Sequence, residues 1–336
     1  MPASVTPAHR GNDANRDTGN ADDANRTVPA PRSPRTGDGS RSARRRARIP
    51  LPGFTGRLMS PGLLVLAAVS VLPFAAVVAM SFARVHLLGG LRLDGVGVTN
   101  WTRLFTDPDT AWAWVRTAAY FTLTVGGEMV LGTALAICLW RLRSGRNAAL
   151  SLLLLPMFVA PVIVGLLGRF LTDSTFGLYA WGLRQLGHHG DVMADSTTAF
   201  AAVTLMDIWE WTPLVALIAL AGLTSVPAGL LEAASLDGAG MLRTLRHIVL
   251  PCVAPVLLVA LLIRSMDALR YFDIIWNTTG GGPANATKTA SVQLYETAFR
   301  FFDFGYAAVT GLLMLAVTTV VARWFVTLLD RKGPAV

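Results

Sequence analysis

Six stretches of the chain, at about 61–82, 117–140, 148–171, 199–222, 252–272 and 304–328, are each long and apolar enough to cross a bilayer as a helix. A hydrocarbon core of about 30 Å takes roughly 20 helical residues to span. Inside it no water satisfies backbone N–H and C=O groups, so a spanning segment of this length must bond them within itself. Hydrophobic residues make up 53% of the 336, charged residues only 15%, and mean hydropathy is +0.49. The charges gather between the blocks, which argues against a two-domain soluble protein of this length. The expected fold class is therefore an all-α membrane protein with six transmembrane helices. The first block is too long, and lies too far behind the N-terminus, to be the core of a signal peptide, so it reads as a retained first span.

The formal net charge is +8. No basic face alternates with aromatics, so nucleic acid is not the expected partner. Basic residues sit in the N-terminal segment and in short loops, where they set orientation. An N-terminus inside places the tail, loop 141–147, loop 223–251 and residues 329–336 in the cytoplasm. The tail holds eleven arginines up to Arg57, and Arg141, Arg143, Arg146, Arg243 and Arg246 follow on the same side. Residues 1–50 contain almost no large apolar side chains and cannot offset the entropy of ordering. The expected organisation is thus a disordered basic cytoplasmic tail (1–57), a transmembrane domain (58–330) and a short cytoplasmic C-terminus (331–336). The tail reads either as a solvated segment or as a contact for anionic lipid.

Within the spans, Pro156, Pro161 and Pro213 interrupt helices. They suggest a bundle around a pathway, or simply the shape of the bundle. Cys138 and Cys252 have neither disulfide nor metal spacing and read as buried, unpaired thiols. His188 and His189 sit with Asp191 in a short loop and read as surface residues. No catalytic constellation and no metal or cofactor site is expected.

Loop 223–251 carries the most information. Ser225 followed by Pro227 reads as a helix start. A short helix then contains Leu230, Leu231, Glu232, Ala233 and Ala234, and Gly238 and Gly240 stop it. A second amphipathic stretch places Leu242, Leu245 and Ile248 on one face, and Pro251 opens the next span. Small residues beside a carboxylate suit close docking of a partner, although an ordinary interfacial loop would look similar.

The spacing resembles the EAA motif of ABC importer permeases, which runs E-A-A, three residues, G, nine residues, I, one residue, L-P. Glu232-Ala233-Ala234, Gly238, Ile248 and Leu250-Pro251 occupy every fixed position. Asp237-Gly238-Ala239-Gly240, the run Asp207 to Pro213, and Thr279-Gly280-Gly281-Gly282-Pro283 further resemble the carbohydrate-uptake branch, the maltose and glycerol-phosphate type permeases. The resemblance covers about 58–330. It implies the type I permease fold in a bacterial cell membrane, pairing with a second permease subunit, two ATPase subunits beneath, and an extracytoplasmic solute-binding protein that delivers a sugar, oligosaccharide or polyol. It implies that the EAA loop forms a coupling helix in an ATPase groove, with Glu232 as the contact. Residues 282–289 faintly resemble a phosphate-binding loop but carry Thr287 where glycine is needed. A separate subunit is therefore expected to hydrolyse ATP, and Gly280–Gly282 with Pro283 reads as a compact outer turn.

Charged residues inside spans are expensive and face a bundle interior. Glu128, Asp207, Glu210, Arg264, Asp267 and Arg270 qualify. Arg264 and Asp267 are three apart on one helix and can pair. Asp267 and Tyr271, four apart, are expected to share a face suited to a hydroxyl-rich substrate. Against this stands a purely structural pair, and Asp207 and Glu210 line a pathway or brace it. An ion-gradient-driven secondary transporter using such carboxylates is the alternative function, but it leaves the EAA loop without a role.

Overall fold

The computed structural model describes residues 54–86, 92–142, 144–187 and 190–332. The expected tail up to residue 53, Arg143, His188, His189 and residues 333–336 lie outside these. The elements run α1 (Phe54–Ser81), β1 (Ala83–His86), β2 (Arg92–Val96), α2 (Thr99–Thr106), α3 (Pro108–Arg141), α4 (Arg146–Leu154), a 3-10 turn (Pro156–Phe158), α5 (Pro161–Leu171), α6 (Leu178–Gln185), α7 (Ser196–Thr224), α8 (Ala228–Leu236) and α9 (Met241–Thr244). A π turn (Leu245–Val249) leads into α10 (Leu250–Ala268), followed by α11 (Asp273–Thr279), α12 (Ala290–Tyr295), a second π turn (Glu296–Arg300) and α13 (Phe304–Lys332). The strands form an antiparallel hairpin, an addition to the all-α expectation.

Five helical runs are long and apolar enough to cross a membrane: Met59–Ser81, α3, α7, Met241–Ala268 and Phe304–Asp330. The block expected at 148–171 is two shorter pieces, Arg146–Phe158 and Pro161–Leu171, bent by 89°. Counted as one broken span, the pair makes the sixth crossing. Pro156 and Pro161 explain the break. Proline has no N–H to continue the ladder, and it pushes Ala160 before it to an extended backbone, ψ 136°.

Caps fix where the long helices begin. The Asp107 carboxylate accepts from Asp109 N at the start of α3, with Pro108 in the first turn. Asp195 accepts from Thr197 N and Thr198 N, both at 3.0 Å, at the start of α7. The pairing of α3 with α7 is the most extensive contact between helices. It depends on Gly132: a Cβ built there would sit 2.8 Å from Val215 Cβ and 3.0 Å from Ala216 N, so only glycine admits this approach.

The core has three parts, the smallest of them Leu104, Tyr306 and Val309 between α2 and α13. One gathers Tyr120, Val164, Val203, Tyr271, Ile274, Ile275 and Val292. Another, toward α8, gathers Ala136, Leu139, Ala219, Leu220, Leu223, Val249 and Val253. Large apolar side chains elsewhere point outward. The most apolar stretch of α1 buries no residue at all, and that of α13 only 6%. This inverts the soluble pattern, because lipid is as apolar as leucine and burial against protein brings no hydrophobic gain. The same inversion corrects the reading of the cysteines. Cys138 and Cys252 are both exposed, since an apolar block does not imply an inward-facing side chain when the solvent is hydrocarbon.

Candidate functional site

Two arrangements stand out among the described residues: the loop built on α8, and a charge cluster inside the bundle.

In the loop, α8 is a separate helix of nine residues. Its start differs from the expected one. Pro227 is the N-cap residue and makes no side-chain cap bond. Ser225 Oγ instead donates back to Gly222 O at 2.7 Å and so closes α7. The end is as expected at Gly238, which lies in the left-handed region at φ 68°. Gly238 N donates to Ser235 O, and Ala239 N to Ala234 O, satisfying carbonyls the helix leaves open. Gly240 plays the opposite role to the one expected: its backbone is extended, and it caps the start of α9. The second stretch of the loop is not a free helix. It runs through the π turn into α10, so Pro251 lies within the span. The π register supplies the reason: Leu250 N donates to Leu245 O, five residues back, just where a proline interrupts the ordinary ladder. Leu245 and Val249 face the core, while Leu242, expected on one face with Leu245 and Ile248, is 77% exposed.

This framework holds α8 in a fixed pose. Leu231 packs on the inner core and Ala234 is buried. Glu232, Ala233 and Asp237 are exposed, and Leu236 is 88% exposed. Glu232 has no side-chain ion pair or hydrogen bond among the described residues. The loop thus presents a carboxylate, a small residue and bare leucines on one rigid turn. Ile248, Leu250 and Pro251 belong to its supporting arm.

The second arrangement centres on Arg264, which is 1% exposed. Its Nε donates to Glu128 Oε2 and its Nη2 to Glu128 Oε1, both at 2.6 Å. Nη2 also donates to Asp207 Oδ2 at 3.2 Å, and Nη1 to Asp267 Oδ2 at 2.8 Å. The guanidinium lies 4.8 Å from the Trp211 ring. Beside it, Tyr271 OH donates to Glu210 Oε2 at 2.9 Å and accepts from Trp211 Nε1 at 3.4 Å, and its ring stacks on Tyr120. Helices α3, α7 and α10 meet here, and every carboxylate named from the sequence is present. Asp207 Oδ1 and Tyr120 OH are among the buried polar atoms that have no hydrogen-bond partner among the described residues. A buried cation satisfied by three carboxylates locks three helices together, because removing it strands their charges.

The expected shared face of Asp267 and Tyr271 is not formed. Helix α10 ends at Ala268, and the chain turns through Leu269 and Arg270, with Arg270 N donating to Asp267 O. Asp267 lies at the end of its span rather than midway, paired to Arg264 and, at 3.8 Å, to Arg270. Tyr271 joins the cluster from the turn. Sequence reading missed that Arg264 binds Glu128 and Asp207, and it missed Tyr120 altogether. The signal for the first was present: a lone arginine deep in an apolar block requires acids from other blocks. The glycine turn is as expected, with Gly280 and Gly281 both at positive φ.

Residues 128–332 match the family described as "Binding-protein-dependent transport system inner membrane component". The chain is 33% identical to the sulfoquinovosyl glycerol transport system permease protein SmoG of Agrobacterium fabrum, over 82% of this chain and 90% of that one. It is 34% identical to the trehalose/maltose transport system permease protein MalF of Thermococcus litoralis, over 67% and 78%. It is 29% identical to the trehalose transport system permease protein SugA of Mycobacterium tuberculosis, over 88% and 92%. In fold it is similar to a chain of a bacterial ABC transporter involved in the import of the acidic polysaccharide alginate, with a TM-score of 0.71 at 20% identity, covering 83% of this chain and 95% of that one. The chain therefore belongs to the binding-protein-dependent transport system inner membrane component family, as a multi-pass inner-membrane permease subunit of an ABC importer.

Proposed function

We propose that this chain, together with a second permease subunit, conducts a sugar, oligosaccharide or polyol into the cytoplasm, driven by ATP hydrolysed on two separate subunits. The observation that carries the reading is the pose of α8. Its inner side is anchored by Leu231 and Ala234, and its outer side offers Glu232, unpaired among the described residues, beside exposed leucines. Such a turn transmits force to the spans on either side, because it is continuous with α7 through Ser225 and with α10 through the π turn. The basic N-terminal segment favours an orientation with the N-terminus and this loop in the cytoplasm and the β1–β2 hairpin outside.

The substrate class rests on the sugar-transport relatives and on the chemistry of the buried cluster. Carboxylates, phenols and indoles gathered in one cluster suit a hydroxyl-rich molecule, and Asp207 Oδ1 and Tyr120 OH, though buried, have no hydrogen-bond partner among the described residues. The bare faces of α1 and α13 leave room for the second permease subunit. A carboxylate held by Arg264 in two places is poorly arranged to cycle protons or cations, which weighs against an ion-gradient mechanism. The test is reconstitution in vesicles with the ATPase subunits and a loaded solute-binding protein. Sugar uptake should need internal ATP and persist when ion gradients are collapsed. Uptake abolished by collapsing the gradient, and indifferent to ATP, would overturn the reading.

A further inference from the structure

Four rings run from the buried cluster toward the outer face. Phe272 and Trp276 lie nearly parallel with centroids 5.7 Å apart; Tyr295 is 5.0 Å from Phe272 and 4.6 Å from Trp276; Phe299 is 5.3 Å from Tyr295. The spacing has a simple origin. Residues 272 and 276, and again 295 and 299, are four apart, so each short helical segment offers a row and the two rows meet. The inner end is fixed, because Phe272 follows Tyr271, whose carbonyl accepts from Ser291 Oγ. The direction is also fixed. Ala290 N donates to Thr117 Oγ1 and Gln293 Nε2 to Thr110 Oγ1, so α12 climbs α3 toward its Pro108 end. Phe272, Trp276 and Tyr295 are half-buried, and Phe299 is 59% exposed.

We propose that Phe272, Trp276, Tyr295 and Phe299 form a stacking track along which a carbohydrate moves from the outer face to the Arg264 cluster, an inference that rests on the sugar-import reading above. Charge borders the rings. The Arg300 guanidinium lies over the Trp276 ring, 5.8 Å from its centroid, and donates to Glu296 Oε1, and Glu296 also pairs with Lys288. Rings bordered by ion pairs are ill suited to face lipid, where charge is costly. They are complementary to a sugar ring, which has apolar C–H faces and a rim of hydroxyls. Successive rings at 4.6–5.7 Å let one contact form as the previous one breaks, so no single site holds the substrate tightly. Half-burial fits the same role, since a surface lining a passage between two subunits is open in one subunit alone.

The test uses the complete importer in vesicles, with its ATPase subunits and binding protein, and a panel of labelled pentoses, hexoses, disaccharides, longer oligosaccharides and polyols. Phe299 is exposed, so Phe299→Leu leaves folding intact. Phe299→Leu and Trp276→Leu should each lower uptake of the transported sugar by about five-fold. ATP hydrolysis stimulated by the loaded binding protein should stay within about two-fold, and Phe299→Tyr should keep uptake near wild type. Wild-type uptake by the leucine variants would overturn the track. So would an equal fall of hydrolysis and uptake, which marks a contact between subunits, or a Phe299→Tyr loss as large as that of leucine. A wild-type importer that takes up no member of the panel would instead sink the sugar-import reading, and the track with it.

Discussion

Arg264 and Glu128 are 136 positions apart in the chain and meet in a two-point ion pair, with both N–O distances at 2.6 Å. The pair ties the α10 span to α3, and Asp207 brings in α7 through the same guanidinium. Removing the arginine leaves buried carboxylates with no counter-charge. Arg264→Met should lose about 3–5 kcal/mol of stability and sharply lower the yield of assembled complex. Glu128→Gln with Arg264→Met together should recover part of that yield, measured by size-exclusion chromatography of the purified complex, because fewer charges are left unpaired.

Asp267 sits at the edge of the same cluster, its side chain 34% exposed and shared between Arg264 and Arg270. Partial exposure screens the pair, so Asp267→Asn should cost only about 0–1 kcal/mol and leave yield near wild type. If Asp267 meets substrate in the pathway, substrate-stimulated ATP hydrolysis and uptake fall in that variant at full yield. Low yield in Asp267→Asn would instead mark it as a brace and remove it as a substrate contact.

Gly132 sets how closely α3 and α7 approach. A side chain there meets Val215 Cβ at 2.8 Å and the Ala216 backbone N at 3.0 Å, and backbone cannot swing aside as a side-chain tip can. Gly132→Val should destabilise the chain by about 1–3 kcal/mol through overpacking and lower the melting temperature of the purified complex. Gly229, with nothing within 4 Å of its Cβ position, serves as the control, and Gly229→Ala should leave the melting temperature unchanged.

The apolar blocks were legible because a bilayer imposes a length and an internal hydrogen-bond pattern that few sequences meet by accident. The stop at Gly238 was legible for a similar reason, since a left-handed residue selects glycine. What escaped was long-range or register-dependent. The 89° break at 159–160 depends on two prolines acting together, and each alone reads as a kink. The π turn before Pro251 shifts the register by one residue, which moves Leu242 outward and Val249 inward. The end of α10 at Ala268 carries no glycine or proline to announce it, so a shared face for Asp267 and Tyr271 was the natural reading. The convergence of Glu128, Asp207 and Asp267 on Arg264 needs tertiary structure, although the charge imbalance within the blocks already required some such meeting.

The proposed mechanism makes α8 the docking point for a separate ATPase subunit. Glu232 is exposed and unpaired among the described residues, so Glu232→Lys leaves every internal contact in place. The decisive measurement is ATP-driven sugar uptake by the reconstituted complex carrying this single change, alongside the amount of ATPase subunit that co-purifies with it. The expected result is a membrane-inserted, stably folded permease whose uptake falls at least about ten-fold and whose bound ATPase is reduced, the consequence of reversing a charge at a docked surface. Uptake at the wild-type rate with the ATPase fully retained would contradict the coupling role of α8.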